Sequence, residues 1–109
     1  MQIMNDNEKV TEYKNFNDFY PFYLSQHQTL MCRRLHFAGT ALVCLSVLMF
    51  LFTFSWFWFI LIPITGYGFA WVGHYVYEKN KPATFLYPLY SLMGDFVMFW
   101  QILIGKLKV

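Results

Sequence analysis

FAGTALVCLSVLMFLFTFSWFWFILIPITGYGFAWVG, residues 37–73, contains no Asp, Glu, Lys or Arg. As one straight helix rising 1.5 Å per residue it would run about 55 Å, far beyond the roughly 30 Å of a bilayer's hydrocarbon core. Two passes fit: a first span near residues 35–54 and a second near residues 55–75, with Trp56 and Trp58 at the far interface, where indole rings concentrate. Pro63 is expected to kink the second span, and Gly66, Gly68, Ala70 and Gly73 offer a small-residue face for close helix contact. The expected fold is all-α, a small integral membrane helical bundle built on a transmembrane hairpin.

The rest of the composition agrees. Of 109 residues 58% are hydrophobic and only 13% charged, about half the charge of an average soluble chain, and the length admits one domain. A polar lead, residues 1–15, carries both charge signs and is followed too late by apolar sequence to be a cleavable secretory signal. Residues 16–109 form the single membrane-embedded domain. It opens with an aromatic stretch, Phe16, Phe19, Tyr20, Phe22 and Tyr23, which reads as an interfacial helix capped by Asn17 or Asp18, with Pro21 in its first turn, leading to His27. The net charge of +2 forms no basic stripe, which excludes nucleic acid as a partner. Cys32 and Cys44 lack CxxC spacing; Cys44 reads as a small core residue and Cys32 is given no role.

Charge sets the orientation. Arg33 and Arg34 precede the first span and Lys79 and Lys81 follow the second, so the positive-inside rule puts both ends on the cytoplasmic face. His27 and His36 are thereby brought back beside His74 and Glu78. After the break at Asn80-Lys81-Pro82, residues 85–105 are again apolar, with Pro88 near the start, Asp95 near the middle, and Lys106 and Lys108 closing the run. A full third span would put those lysines on the disfavoured side, so a C-terminal membrane helix and a re-entrant or interfacial one both remain open.

The chemistry gathers at that face. His74 and Glu78 lie four residues apart, one helical turn, which is a ligand-pair spacing, and Asp95 is a carboxylate in an apolar run, where it needs a partner. Imidazoles with a carboxylate and open positions suit non-haem Fe(II). The alternatives for the acids are structural: Glu78 paired with Lys79 or Lys81, and Asp95 bonded to Ser91 or Tyr67 while orienting a histidine. Tyr67, Trp71, Tyr75, Tyr77, Tyr87 and Tyr90 would line an acyl-chain groove or simply pack as an aromatic belt.

Three stretches carry a family resemblance: Tyr23-Leu24-Ser25-Gln26-His27; Arg33-Arg34-Leu35-His36-Phe37-Ala38-Gly39-Thr40; and residues 66–98 with His74, Glu78-Lys79-Asn80-Lys81-Pro82-Ala83-Thr84 and Gly94-Asp95. Over residues 16–105 the chain resembles the 2-hydroxy fatty acid dioxygenase family of fungal phytosphingosine breakdown. The resemblance implies an Fe(II) enzyme in the lipid bilayer that uses O2 to shorten a 2-hydroxy fatty acid by one carbon, releasing carbon dioxide. It implies His27, His36 and His74 as metal ligands and Glu78 and Asp95 as matched acidic positions; Cys32 departs from an expected asparagine. Arg33 or Arg34 would hold the substrate carboxylate, a role resting on charge alone. The setting expected is a bacterial inner membrane or endoplasmic reticulum with the site on the cytoplasmic face, and a homo-oligomer is left open. Rival readings are a small transporter using Asp95, a haem protein with His36 and His74 as axial ligands, and a purely structural membrane protein. Three histidines are too few for a histidine-box di-iron hydroxylase.

Overall fold

The computed structural model describes residues 13–109, all helix and connecting turns, so most of the expected polar lead lies outside the described residues. Helix α1 covers Phe16–Ser25, α2 Leu30–Thr53, α3 Trp56–Val72 and α4 Pro88–Leu103; α3 runs on into a π-helical turn, Gly73–Glu78, and a short 3₁₀ turn, Ala83–Phe85, precedes α4.

The hairpin turns where the charge-free run divides. Helix α2 starts at a Thr29 cap whose Oγ1 accepts from Cys32 N at 3.1 Å. It ends at Phe54, whose left-handed backbone (φ 53°) reverses the chain, and Ser55 then leads into α3. Thr53 Oγ1 donates to Met49 O at 2.7 Å and accepts from Ser55 N at 3.1 Å, closing the tip with hydrogen bonds. Both arms are long and apolar enough to cross a membrane: Leu30–Thr53, and Trp56–Glu78 counted through the π turn. Leu48, Leu51, Phe52, Phe57 and Ile60 stand exposed near the tip, a surface that suits lipid.

The arms touch through small residues, though not quite those expected. A Cβ on Gly39 would come within 2.9 Å of Phe69 Cβ and 3.0 Å of Thr65 O, so α2 supplies the tightest contact. Gly66 and Gly73 do lie on the interface, where a Cβ would meet Val43 and Cys32 respectively at 3.2 Å. Gly68 faces open space instead. Pro63 sits inside α3, where it removes the N–H that would reach Phe59 O.

Helix α1 begins a little earlier than expected, because Asn15 is its cap: Asn15 Oδ1 accepts from Asp18 N at 2.8 Å. Asp18 then sits in the first turn, where a carboxylate favours the helix dipole, and Pro21 falls in the exposed interior of the helix. Phe19 and Tyr23, one turn apart, are buried with Ala83 and Met98. Phe19 packs on Tyr87 and Tyr90 with ring centroids 5.3 and 5.4 Å apart.

Helix α4 packs on α1, on the opening turns of α2 and on the 3₁₀ turn: Gln101 accepts from Tyr20 OH at 2.5 Å, Phe99 stacks on Phe37 at 4.7 Å and Met98 is buried with Ala83, while beyond the helix Lys108 O lies 3.4 Å from Arg33 Nη1. It therefore lies across the open end of the hairpin. The chain beyond α4 returns to the end of the hairpin that carries Arg33.

Candidate metal centre

Each histidine is carried by a different element. His27 lies just after α1, His36 in the second turn of α2, and His74 in the π turn, and all three are buried. Their ring centroids are 4.3, 4.4 and 4.9 Å apart. The hairpin topology brings the three together.

The hydrogen bonds decide which nitrogen of each ring is available. His27 Nδ1 lies 2.6 Å from Tyr23 O, and His36 Nδ1 lies 3.2 Å from Cys32 O. A carbonyl only accepts, so each Nδ1 carries the proton. His74 Nδ1 faces Asn80 Oδ1 at 2.7 Å. The Asn80 amide is fixed in that sense because its Nδ2 donates to Gln26 O at 3.2 Å and to Gln26 Oε1 at 3.1 Å. All three Nε2 atoms are thus left as lone pairs. His27 Nε2 and His36 Nε2 nevertheless face each other at 3.1 Å, where two acceptors repel unless a cation lies between them.

A proton is a poor candidate for that cation. Burial, and then the neighbouring His36 and His74, push His27 well below the ordinary histidine range, so its ring is neutral. A metal ion fits better. Two nitrogens each about 2.1 Å from one ion and at right angles would be about 3.0 Å apart, close to the observed separation. The Nδ1–H···O contacts are those that orient metal-binding imidazoles. One donor atom from each of His27, Cys32, His36 and His74 lies within 4.8 Å of the others, a group able to hold a metal ion. Cys32 Sγ contacts His36 on its Nδ1 side, at 3.8 Å. Rings this close leave no gap for a porphyrin between His36 and His74.

The carboxylates divide. Asp95 Oδ1 lies 3.9 Å from His36 Nε2 and accepts a hydrogen bond from Tyr23 OH, instead of from Ser91 or Tyr67. Tyr23 also stacks on His27 with centroids 4.1 Å apart, and Gly94 makes room for its ring: a Cβ there would come within 2.8 Å of Tyr23 Cδ2. Burial raises the Asp95 carboxyl to about 6 against the opposing pull of the Tyr23 hydroxyl, while burial and that carboxylate keep Tyr23 protonated. Glu78 looks elsewhere. Its Oε2 accepts from Thr29 N at 2.5 Å, tying the end of the π turn to the start of α2.

Neither arginine lines the cavity beside the histidines. Arg33 Nε donates to His27 O at 2.8 Å, bracing the loop that carries His27, and Arg34 is exposed. The cavity itself measures about 510 Å³. Tyr23, the three histidines, Ser91 and Asp95 line it together with the apolar Val43 of α2, Ile62 and Pro63 of α3, and Leu92 and Phe96 of α4. Of the aromatic series, Tyr67 and Trp71 line it.

Tyr23, Asn80 and Gln26 were not expected as site residues, although each lies within a stretch that carries the family resemblance. A family model described as 2-hydroxy-palmitic acid dioxygenase Mpo1-like matches residues 13–107. No curated protein and no solved structure matches the chain.

Proposed function

Because this chain belongs to the 2-hydroxy-palmitic acid dioxygenase Mpo1-like family, we propose that it is a membrane-embedded Fe(II) dioxygenase that shortens 2-hydroxy fatty acids by one carbon. The observation that carries this reading is the gathering of three buried imidazoles, ring centroids 4.3, 4.4 and 4.9 Å apart, each with an oxygen behind its Nδ1, in the wall of one largely apolar cavity. His27, His36 and His74 hold the metal. Iron(II) there supplies a Lewis-acidic, redox-active centre for O2 and for the 2-hydroxyl and carboxylate of the substrate.

The protein's own groups do the rest. Tyr23 O, Cys32 O and Asn80 Oδ1 keep the rings in the ligating tautomer. Asp95, tethered by Tyr23, stands on the Nε2 side of His36, where it can exchange a proton with a bound acid. Val43, Ile62, Leu92 and Phe96 receive the acyl chain and keep water from it. Glu78 and Arg33 hold the π turn and the His27 loop in register. Arg33, Arg34, Lys79, Lys81, Lys106 and Lys108 at the open end favour a cytoplasmic site, in a bacterial inner membrane or the endoplasmic reticulum.

The reaction balances without a co-substrate: 2-hydroxypalmitic acid and O2 give pentadecanoic acid, carbon dioxide and water. The four electrons that reduce O2 come from the substrate, two from its C2–H bond and two from the C1–C2 bond that breaks. Purified protein supplied with Fe(II) under air should yield pentadecanoic acid with matching O2 uptake, and palmitic acid should be inert for want of the chelating hydroxyl. Iron-loaded protein that consumes no O2 with 2-hydroxy acids of any chain length would refute the reading.

A further inference from the structure

Ser91 stands one turn before Asp95 on α4, so the two share a helix face, and both line the cavity that holds the histidines. It is 4% exposed, and among the described residues its Oγ is a buried side-chain oxygen with no hydrogen-bond partner. That is unusual for a serine in a helix. The usual partner is the carbonyl one turn back, here Tyr87 O, which accepts from Ser91 N at 2.8 Å but not from the hydroxyl. A buried hydroxyl without a partner costs about 1–3 kcal/mol, and such a cost at a cavity wall points to a partner that arrives with a ligand.

We propose that Ser91 Oγ is the hydrogen-bond donor to the carboxylate of the acid that enters this cavity, an inference that rests on the dioxygenase reading and names the part of the substrate the residue recognises. A carboxylate taken out of water needs donors, and among the described residues no Lys or Arg lines the cavity. Arg33 is engaged with His27 O and Arg34 is exposed, which leaves the charge of the head group to the metal and to neutral donors. Asp95 adds none while ionised. Ser91 is the cavity hydroxyl that is both buried and unsatisfied, and a hydroxyl bonded to a carboxylate forms one of the stronger classes of hydrogen bond.

The test uses the full chain in detergent, with 2-hydroxypalmitic acid and hexadecane-1,2-diol as probes; the diol keeps the chain and the 2-hydroxyl but lacks the carboxylate. In Ser91→Ala the ligand-free protein should melt at the wild-type temperature or above, since an unsatisfied group has been removed. Its metal content should be unchanged. Its Kd for the acid should rise about tenfold or more, its Kd for the diol should stay at the wild-type value, and Ser91→Thr should restore acid binding. A lowered melting temperature of ligand-free Ser91→Ala, or an equal loss of affinity for acid and diol, would overturn the assignment in favour of a structural role. If wild-type protein binds and shortens the acid and Ser91→Ala binds it equally well, the assignment alone fails. If the wild type neither binds the acid nor takes up O2 with it, the dioxygenase reading fails and takes the Ser91 assignment with it.

Discussion

Asn80 Oδ1 stands 2.7 Å from His74 Nδ1, and the other end of the same amide is bonded to Gln26. Asn80 therefore does two things at once: it sets the tautomer of His74 and fastens the π turn to the loop that carries His27. Asn80→Ala should weaken metal binding by about 10- to 100-fold, the usual effect of losing the group behind a ligating imidazole. Asn80→Asp keeps the acceptor for His74 but turns the donor toward Gln26 into an acceptor facing Gln26 O and Oε1, so it should retain more of the affinity than Asn80→Ala. Metal titration of the two variants checks this, and equal losses in both would assign the effect to the Gln26 link instead.

Gly94 is required for Tyr23 to reach Asp95. With Tyr23 Cδ2 and Cε2 at 2.8 and 2.9 Å from a hypothetical Cβ, Gly94→Ala must push the ring or α4 outward. Overpacking of this kind costs about 1–3 kcal/mol. The variant should melt earlier than wild type. Because Tyr23 is also stacked on His27, it should also bind metal less tightly, which separates it from a Gly68→Ala control, whose Cβ meets nothing within 4 Å.

In metal-free protein, His27 and Asp95 titrate in opposite senses. His27 is held well below the ordinary value of 6.5, so the unfolded chain binds the extra proton and stability falls as pH drops through 6.5. Asp95 is raised from 3.8 to about 6. Here the folded state binds the proton first, so its contribution is fully present below 3.8 and is lost as pH rises through about 6. Asp95→Asn removes that contribution. Thermal denaturation in detergent from pH 7 to pH 4 should therefore fall more steeply in Asp95→Asn than in wild type, and parallel curves would contradict the raised Asp95 value.

What the sequence discloses and what it conceals follow from the range of each interaction. The hairpin is written in a long charge-free run, and its turn at Phe54 and Ser55 follows from a length too great for one pass and right for two. The gathering of His27, His36 and His74 needs only that topology. The acceptors behind the rings are another matter, because Tyr23 O and Cys32 O are backbone carbonyls that any residue would supply. Asp95 could be seen to need a partner, yet Ser91, one turn away, was the natural choice by spacing, whereas its donor is Tyr23 on α1. Gly39 carries no such signal by itself, because its contact with Phe69 and Thr65 exists only once the arms are docked.

Glu78 offers the sharpest test of geometry against spacing. Four residues after His74, it sits where a second ligand would on a regular helix, but in the structure its carboxylate accepts from Thr29 N at 2.5 Å. Thr29 is the cap of α2, so the charge of Glu78 rests at that helix's positive end, an arrangement worth about 0.3–1 kcal/mol. Glu78→Gln keeps an oxygen able to accept from Thr29 N and loses only the charge; Glu78→Ala leaves that N–H without its partner. A clamp predicts that Gln retains full metal stoichiometry and near-normal turnover with a slightly lower melting temperature, while Ala melts distinctly earlier and shows weaker metal binding as the π turn loosens. A ligand predicts the reverse emphasis, since an amide oxygen is a far poorer donor to a cation than a carboxylate: Gln would lose metal about as severely as Ala. Metal content and melting temperature of the two variants, measured on the same preparations, decide between them, and loss of metal in Glu78→Gln at an unchanged melting temperature would return Glu78 to the ligand set.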